Sequence, residues 1–303
     1  MPELGLRLSI GEVDADSIIG PIGGGPTIDG VYKLEDDSGF YLTAANDYLA
    51  FETAETALWT PTRISTVGWW DASDASTITH TSNAVSQWND KSGNSNHASQ
   101  STADRQPMVA TNSIGGKTAI KFDGSDSMGA STRLGLGANP ALTVFVVCNI
   151  FTNNDSVDRI FHLGDNSHSL CVSAGSSGWS WRYDGGNEVY GYVNHHTDYL
   201  LAYTRPSDGD YASAKLFIDG TEQTRISGSN DSGSPTSTTA NFRIGSNYDG
   251  SSNFLNGYIG EIIVIESDSN SDRQKVEGYL AHKWGIDGNL DSSHPYALGA
   301  PTI

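Results

Sequence analysis

The chain has 303 residues, of which 34 are glycine, and its 36 acidic and 17 basic side chains give a formal net charge of −19. A surface of that sign repels phosphate backbones and anionic lipid, so the composition excludes nucleic acid as the main partner. No apolar run approaches the roughly 20 residues that a membrane-spanning helix needs, so we expect no membrane insertion.

The first 64 residues differ from the rest and predict an attachment or oligomerisation arm. A stretch rich in Gly, Pro and Ile at 18–26 predicts an extended course. Short β-like segments follow at 31–35, 40–43 and 48–52, and such strands need a partner surface because isolated hairpins are marginal in water. A frayed terminal tail with modest β propensity is the alternative.

From residue 65 onward, short apolar runs alternate with polar turns. This pattern predicts strands at 119–122, 142–147, 159–163, 169–173, 179–183, 188–193, 199–203, 215–218, 241–244 and 257–265. Roughly ten strands in two hundred residues are typical of an all-β, two-sheet antiparallel sandwich. Asp219-Gly220 and the segment 184–187 supply residues that tolerate positive φ, as tight hairpin turns require.

One helix is predicted near the end of the chain, at 272–284, where it should pack across the sandwich. Ser271 and Gln274 have the spacing of a capping box, and Gly285 follows as a C-cap after Lys283 in the last turn. The apolar stripe of this helix consists of Val276, Tyr279, Leu280 and Trp284.

The two cysteines, Cys148 and Cys171, both lie in strand-like runs. Two cysteines imply no disulfide framework. We expect buried free thiols, since small apolar cysteines commonly pack in cores, and a bridge between the two is the alternative.

The candidate ligand surface is a predicted hairpin rich in aromatic residues. Alternation places three rings on one face of the first strand and two on one face of the second, and flat rings stack on the apolar faces of sugars. The same face could instead line the core between the sheets. The candidate glycan-binding residues are Trp179, Trp181, Tyr183, Tyr190, Tyr192, Arg182 and Asn194, with Asn187 as a further hydrogen-bonding group.

The sequence offers no matched pair of catalytic carboxylates. Retaining glycanases of the jelly-roll type hold two carboxylates about 5 to 5.5 Å apart on one strand face. Glu261 and Glu266 are five residues apart, so in a regular strand they point to opposite faces, and no Glu-x-Asp-x-x-Glu pattern occurs. We therefore expect no enzymatic activity and a structural role for Glu261.

Metal and cofactor signals are weak. No cofactor is expected, although calcium is possible because turn carboxylates suit that ion. His195-His196 is a pair without the spacing of a metal site. The turn carboxylates in question are Asp123, Asp126, Asp155, Asp158, Asp165 and Asp249, which are also ordinary turn residues.

Several segments resemble laminin-G-like, concanavalin-A-like jelly rolls of marine bacteria and their phages. The resemblance covers about 70–303 and rests on 70–74 (WDASD), 85–94 (VSQWNDKSGN), 122–126 (FDGSD), 216–220 (LFIDG), 242–245 (FRIG), 257–264 (GYIGEIIV), 272–285 (DRQKVEGYLAHKWG) and 294–296 (HPY). Within the arm, 34–39 (LEDDSG) is similar to the Leu-Glu-Asp-Gly-Ser-Gly repeats of phage virion proteins, with Asp37 at the second glycine position.

The resemblance implies an arm at 1–64 and a jelly roll at 65–303, but this fold hosts lectins, adhesins, glycanases and virion parts alike. We expect a non-enzymatic virion structural protein, such as a head decoration, fibre or tail-associated protein, that is assembled in the host cytoplasm. Its partners would be other virion proteins, further copies of itself, most simply in a trimer, and cell-surface polysaccharide. The segment 1–7 has no secretory signal pattern, which fits this expectation. A free, extracellular bacterial glycan-binding module is the alternative, and a glycan hydrolase comes third.

Overall fold

The structure is a computed structural model. It describes residues 57–303 except 138–139, 152–156, 165–168, 176–177, 184–185, 191–193, 208–212 and 229–240, and in the first 56 residues it describes three strands. Within 169–190 side chains are described only for 172–174 and 179, and none is described at 226–228 or in the first three strands. The chain forms two compact units, one of residues 1–57 with 303 and one of residues 58–302.

The first unit contains a three-stranded antiparallel meander. Its strands are β1 (Val31–Lys33), β2 (Phe40–Ala45) and β3 (Tyr48–Thr53), paired in the order β1-β2-β3. The three predicted strand segments are therefore confirmed to within two residues at each end. The predicted extended course of 18–26 lies outside the described residues.

Among its described residues the second unit has eighteen strands. They are β4 (Thr66–Asp71), β5 (Ile78–Thr81), β6 (Ala84–Trp88), β7 (Ala98–Ser99), β8 (Met108–Ile114), β9 (Lys117–Asp123), β10 (Met128–Ala130), β11 (Leu142–Ile150), β12 (Val157–Gly164), β13 (Ser169–Gly175), β14 (Gly178–Tyr183), β15 (Gly186–Tyr190), β16 (Asp198–Arg205), β17 (Lys215–Ile218), β18 (Thr221–Glu222), β19 (Arg225–Gly228), β20 (Phe242–Ile244) and β21 (Asn256–Ile265). Short 3-10 turns occupy Pro61–Arg63, Ala75–Thr77, Ala103–Arg105 and Asp287–Asn289.

The strands pair antiparallel into two sheets, as the sequence predicted. The front sheet has the order β7-β10-β20-β12-β13-β14-β15-β19. The back sheet has the order β18-β17-β16-β11-β21, and β21 then pairs with β4 along one half and with β9 along the other, followed by β8. Strand β6 pairs with both β7 and β8 and so joins the two sheets.

The main core lies between the two sheets. Trp70 from the back sheet contacts Phe242 from the front sheet at a ring-centroid distance of 4.9 Å, and Phe161 lies beside both rings. Along β11, alternate residues from Leu142 to Ile150 face this core, which is the pattern expected of a sandwich strand.

A second apolar layer lies on the outer face of the back sheet, beneath the C-terminal helix. Val144 and Val146 of β11 face the main core, whereas Phe145 and Val147 belong to this second layer. Both faces of β11 are therefore buried, which explains why 142–148 is a nearly continuous apolar run instead of an alternating one.

The helix α1 (Asn270–Trp284) covers this second layer with the predicted stripe, since Val276, Leu280 and Trp284 are fully buried. The predicted C-cap is confirmed, because Gly285 has a left-handed φ of 66°. The predicted N-cap is wrong: the Ser269 hydroxyl accepts the Asp272 N–H, and Ser271 is already inside the helix. In the described part of the chain, no helix has both the length and the apolar character needed to cross a bilayer.

A glycine sets how closely α1 approaches the sheet. A methyl group built on Gly260 of β21 would lie 2.8 Å from the Trp284 ring, inside van der Waals contact. The indole of Trp284 therefore occupies the space that a side chain at this position of β21 would take.

The predicted strands from 119–122 to 257–265 all coincide with observed strands, although β15 begins earlier than predicted and 191–193 lies outside the described residues. The Asp219-Gly220 turn is confirmed, with φ values of 49° and 76°. Cys148 is a buried free thiol, so it forms no bridge with Cys171, whose side chain is not described.

Candidate functional site

The predicted sugar platform lies on β14 and β15, which pair as the expected hairpin. Trp179, however, is only 1 % exposed, and its ring contacts that of Tyr199 edge-on at a centroid distance of 5.0 Å. A ring enclosed by protein cannot stack on a sugar. Trp179 is therefore a core residue, which was the alternative reading of this face.

The strand register bears on the neighbours of Trp179. Trp181 pairs with Val172 and Tyr183 with Leu170 in the register of β13 and β14. The side chains of Trp181, Arg182, Tyr183 and Tyr190 and the whole of Tyr192 lie outside the described residues, so their sugar contacts stay a prediction.

Asn194 is the predicted ligand residue that the structure places at the surface. It is exposed just before β16, and its backbone N–H donates to the Tyr199 hydroxyl at 3.0 Å. Two residues later, the backbone N–H of His196 donates to the carbonyl of Ile150 at 2.7 Å and so holds this loop against the end of β11.

Three rings meet at that point, and we call Phe151, His196 and Tyr258 the aromatic step. The ring of Phe151 stacks on that of His196 with a centroid distance of 5.3 Å and an angle of 18°. The ring of Tyr258 meets Phe151 edge-on at 4.6 Å and 90°. His196 is exposed, and Phe151 and Tyr258 are partly exposed, so all three residues reach the surface.

Polar side chains border the aromatic step. Asn149 pairs with Tyr258 on one side and with Asp198 on the other, and its amide Nδ2 donates to Asp198 Oδ1 at 2.6 Å. Lys121 stands beyond Tyr258 in the same row across the sheet. Amide, carboxylate and ammonium groups thus lie beside the rings.

The position of the aromatic step follows from the alternation of β11. Phe145 and Val147 lie under α1, and the residues that continue the same face are Asn149 and then Phe151. These last two are only partly buried. An aromatic ring at the partly exposed end of a buried strand face is suited to ligand contact.

A cluster of buried charges lies elsewhere, between the back sheet and α1. Glu261 is fully buried, and its Oε2 accepts from Lys283 Nζ at 2.6 Å and Trp284 Nε1 at 2.7 Å. Its Oε1 accepts from Trp69 Nε1 at 2.6 Å, and the Tyr279 hydroxyl lies at 3.5 Å. Four donors thus surround this one carboxylate.

Asp71 completes the cluster from the neighbouring strand. It is 2 % exposed, pairs with Glu261 in the register of β4 and β21, and binds Lys283 Nζ at 2.7 Å and Lys91 Nζ at 2.8 Å. Burial acts to raise the pKa of Asp71, but the charge and hydrogen bond of Lys283, with the hydrogen bonds of Lys91 and Ser73, hold it below its usual range. Burial raises the pKa of Glu261, and the charge of Asp71 adds to that effect.

The cluster connects the back sheet to α1 through hydrogen bonds and ion pairs. Asp71 and Glu261 contact the same ammonium group, so they are close enough to resemble a catalytic pair in spacing. However, both are buried and their oxygens are already occupied by donors from the protein. Glu261 anchors α1 to the sheet, which is the structural role expected from the sequence. Glu266 is exposed.

The described residues contain no group of three or more His, Cys, Asp and Glu side chains arranged to hold a metal ion. Of the turn carboxylates, Asp155 and Asp165 lie outside the description, and Asp158 is buried in β12. Asp126 Oδ2 accepts the backbone N–H of Asp123 at 3.0 Å. His195 is exposed in the loop beside the aromatic step.

Comparison with known proteins bears on the fold alone. No protein-family model matches the chain, and no curated protein sequence matches it. Among solved structures, Trypanosoma rangeli sialidase is similar with a TM-score of 0.51 at 15% identity, over 72% of this chain and 33% of that one. This chain therefore spans about a third of that sialidase.

Weaker similarities carry no further argument. Domain 4 of a GH43 extracellular arabinanase from Geobacillus stearothermophilus, in complex with arabinotriose, has a TM-score of 0.47 at 16% identity, over 68% of this chain and 95% of that one. The Ruminococcus gnavus IT-sialidase CBM40 bound to alpha2,3 sialyllactose has a TM-score of 0.38 at 14% identity, over 51% and 92%. The chain has the β-sandwich architecture.

Sequence reasoning missed the aromatic step because its rings come from three distant segments. Phe151 follows β11, His196 precedes β16 and Tyr258 lies in β21. The available signal was the change from apolar residues to Asn149 on one face of β11, but the pairing partners of that face could not be read from the sequence.

Proposed function

We propose that this protein is a non-enzymatic saccharide-binding module that contacts its ligand at the aromatic step. The observation that carries the proposal is the meeting of exposed His196 with partly exposed Phe151 and Tyr258, next to the hydrogen-bonded pair Asn149 and Asp198. Aromatic rings pack on the C–H faces of a sugar ring, and a carboxylate such as that of Asp198 accepts hydrogen bonds from its hydroxyls.

The absence of catalysis is part of the proposal. A retaining glycosidase needs two accessible carboxylates on either side of the scissile bond. The close pair that the described residues supply, Asp71 and Glu261, is enclosed beneath α1 and already bound to Lys283. Incubation with varied polysaccharides should release no reducing ends, and steady release would contradict this part.

Binding is tested by screening the full chain on a glycan array and titrating the ligand that binds best. Tyr258→Ala and Phe151→Ala should each weaken binding about tenfold, since loss of one stacked ring costs about 1.4 kcal/mol. His80→Ala, which removes an exposed ring from β5, is the matched control and should bind normally. Unchanged binding by the Tyr258 and Phe151 variants would rule out the aromatic step.

The second element of the proposal is display on a phage particle, with the first unit as the attachment segment. It is supported by the similarity of 34–39 to virion repeats and by the separate unit that contains β1–β3. The partners are other virion proteins and two further copies of the chain. A free extracellular glycan-binding module from a bacterium is the alternative.

Light scattering and particle association separate these alternatives. The display role predicts a mass three times the 32.3 kDa of one chain and co-sedimentation of the full chain with particles. A monomer that stays in the supernatant, while still binding glycan, would favour the free module.

A further inference from the structure

Two arginines converge on the turn that follows β20 of the front sheet, and we call them the arginine pair. Arg105 Nη1 donates to the carbonyl of Gly250 in the turn between β20 and β21. Arg243 of β20 reaches the same turn, since a methyl group built on Gly250 would lie 3.7 Å from Arg243 Nε. Both guanidinium groups therefore lie close to Gly250.

A glycine makes room for one of these side chains. Arg243 pairs with Gly129 of β10, and a methyl group built on Gly129 would lie 2.8 Å from Arg243 Nη1 and 2.9 Å from its Cδ. The arginine therefore lies along the outer face of the front sheet, across the bare backbone of its neighbour. It is half-buried there instead of extended into solvent.

Among the described residues, the arginine pair forms few hydrogen bonds and no ion pair. Arg243 donates to the carbonyl of Phe242 at 3.1 Å, and neither Arg243 nor Arg105 forms an ion pair with a carboxylate among the described residues. Arg273 provides the contrast, because its guanidinium binds both oxygens of Glu277, at 2.6 and 2.5 Å. Arg105 and Arg243 thus retain donors that a bound oxyanion can use.

Partial burial strengthens the interaction of these donors with an anionic ligand. A guanidinium that has lost part of its hydration gains more from an anion than an exposed one does, and its planar fork matches the two oxygens of a carboxylate or sulfate. Aromatic rings lie nearby: Arg105 is 5.5 Å from the ring of Phe254, and the ring of Tyr248 is 6.0 Å from that of His162, which pairs with Arg243. Rings next to an oxyanion site suit a sugar acid.

A carboxylate in the same turn acts on the pair. Asp249 is exposed, its Oδ1 accepts the backbone N–H of Ser251 at 3.0 Å, and its charge attracts Arg243. A bound anion would compete with Asp249. The net charge of −19 also disfavours a densely charged polyanion, so the ligand carries isolated anionic groups.

We propose that Arg105 and Arg243 form a second binding site, which takes the carboxylate or sulfate group of an otherwise neutral saccharide. This site lies on the front sheet and the aromatic step on the back sheet, so the inference does not rest on the proposed function. The oxyanion binds between the two guanidinium groups, and the sugar ring packs against Tyr248 and Phe254.

The test compares matched ligands by calorimetry on the full chain. An oligosaccharide ending in glucuronic acid should bind at least about tenfold more tightly than the same oligosaccharide ending in glucose, because charge-assisted hydrogen bonds contribute this much. A version ending in glucose 6-sulfate distinguishes a sulfate site from a carboxylate site. Equal affinity for all three ligands would overturn the proposal.

Three variants and a control assign the effect to residues. Arg243→Gln and Arg105→Gln should each abolish the preference for the charged ligand, whereas Asp249→Asn should strengthen binding severalfold by removing the competing charge and keeping the bond to Ser251. Lys215→Gln, at an exposed lysine of β17 paired with Glu222, should change nothing. If Asp249→Asn weakens binding, or either arginine variant keeps the preference, the site is wrong.

Discussion

At the scale of single residues, Glu261 shows how a buried charge holds an all-β protein to its helix. It lies at a strand position where the sequence is otherwise apolar, and its oxygens bind donors from β4 and α1. A buried carboxylate is tolerated when its hydrogen bonds are complete. Residue type and strand parity were readable from the sequence, but the identity of the donors was not.

Replacing this charge should be costly. Glu261→Gln leaves Lys283 with one carboxylate fewer and turns one acceptor into a donor that faces other donors, so we expect a loss of about 3 kcal/mol in the free energy of unfolding. Urea denaturation measures it. Glu266→Gln at the exposed end of the same segment is the control, expected within about 0.5 kcal/mol of the parent. A small effect at Glu261 would contradict the anchoring role.

Asp126 should make stability depend on pH. Burial, with the charge of Asp123, raises the pKa of Asp126 to about 7, and the residue is 3 % exposed. The folded state thus keeps a proton that the unfolded chain releases near its ordinary pKa of 3.8. Stability from this group is present at pH 4 and is lost as the pH rises through 7.

We expect Asp126→Asn to remove this dependence. The difference between the free energies of unfolding of the variant and the parent should shift in favour of the variant by on the order of 2 kcal/mol between pH 4 and pH 8. Urea denaturation at several pH values tests this, with Asp104→Asn, an exposed carboxylate, as the control. Parallel pH profiles for parent and Asp126 variant would refute the shifted carboxyl.

At the scale of elements, the positions of α1 and of most strands were predictable from the sequence, but the N-cap of α1 was not. The helix stripe, its C-cap and most strand positions follow from local periodicity, which is why they could be read directly. The N-cap could not, because Ser267, Ser269 and Ser271 alternate before the helix and each is a suitable cap by residue type. In the structure the Ser269 hydroxyl accepts the Asp272 N–H, so Ser269 is the cap.

The cap assignment has a direct test. Ser269→Ala removes the acceptor of the Asp272 N–H and should lower the free energy of unfolding by about 1 kcal/mol. Ser271→Ala, at an exposed position inside the first turn, should have an effect below about 0.5 kcal/mol. The opposite order of the two effects would restore the capping box at Ser271.

At the scale of the whole molecule, the apolar residues divide into two layers on either side of the back sheet. Strand β11 contributes to both, and Cys148 faces the layer between the sheets. Burial raises the pKa of the Cys148 thiol, so the reactive thiolate is suppressed in the folded state.

Cys148 should therefore report global unfolding. In a Cys171→Ser background, where Cys148 is the remaining cysteine, an aromatic disulfide reagent should react with the denatured chain at once and with the native chain only at the rate of unfolding. Rapid reaction under native conditions would show that the centre of the sandwich opens locally.

By itself the sequence determined the all-β class, the positions of most strands and the apolar stripe of the helix. It also showed that Glu261 and Glu266 lack the spacing that would place two carboxylates on one strand face. These depend on period and local residue chemistry. The tertiary structure alone decided that Trp179 lies in the core, that Phe151 meets Tyr258 and that Arg105 meets Arg243 at Gly250. Strand order and register bring together residues more than a hundred positions apart, and no local pattern encodes which strands become neighbours.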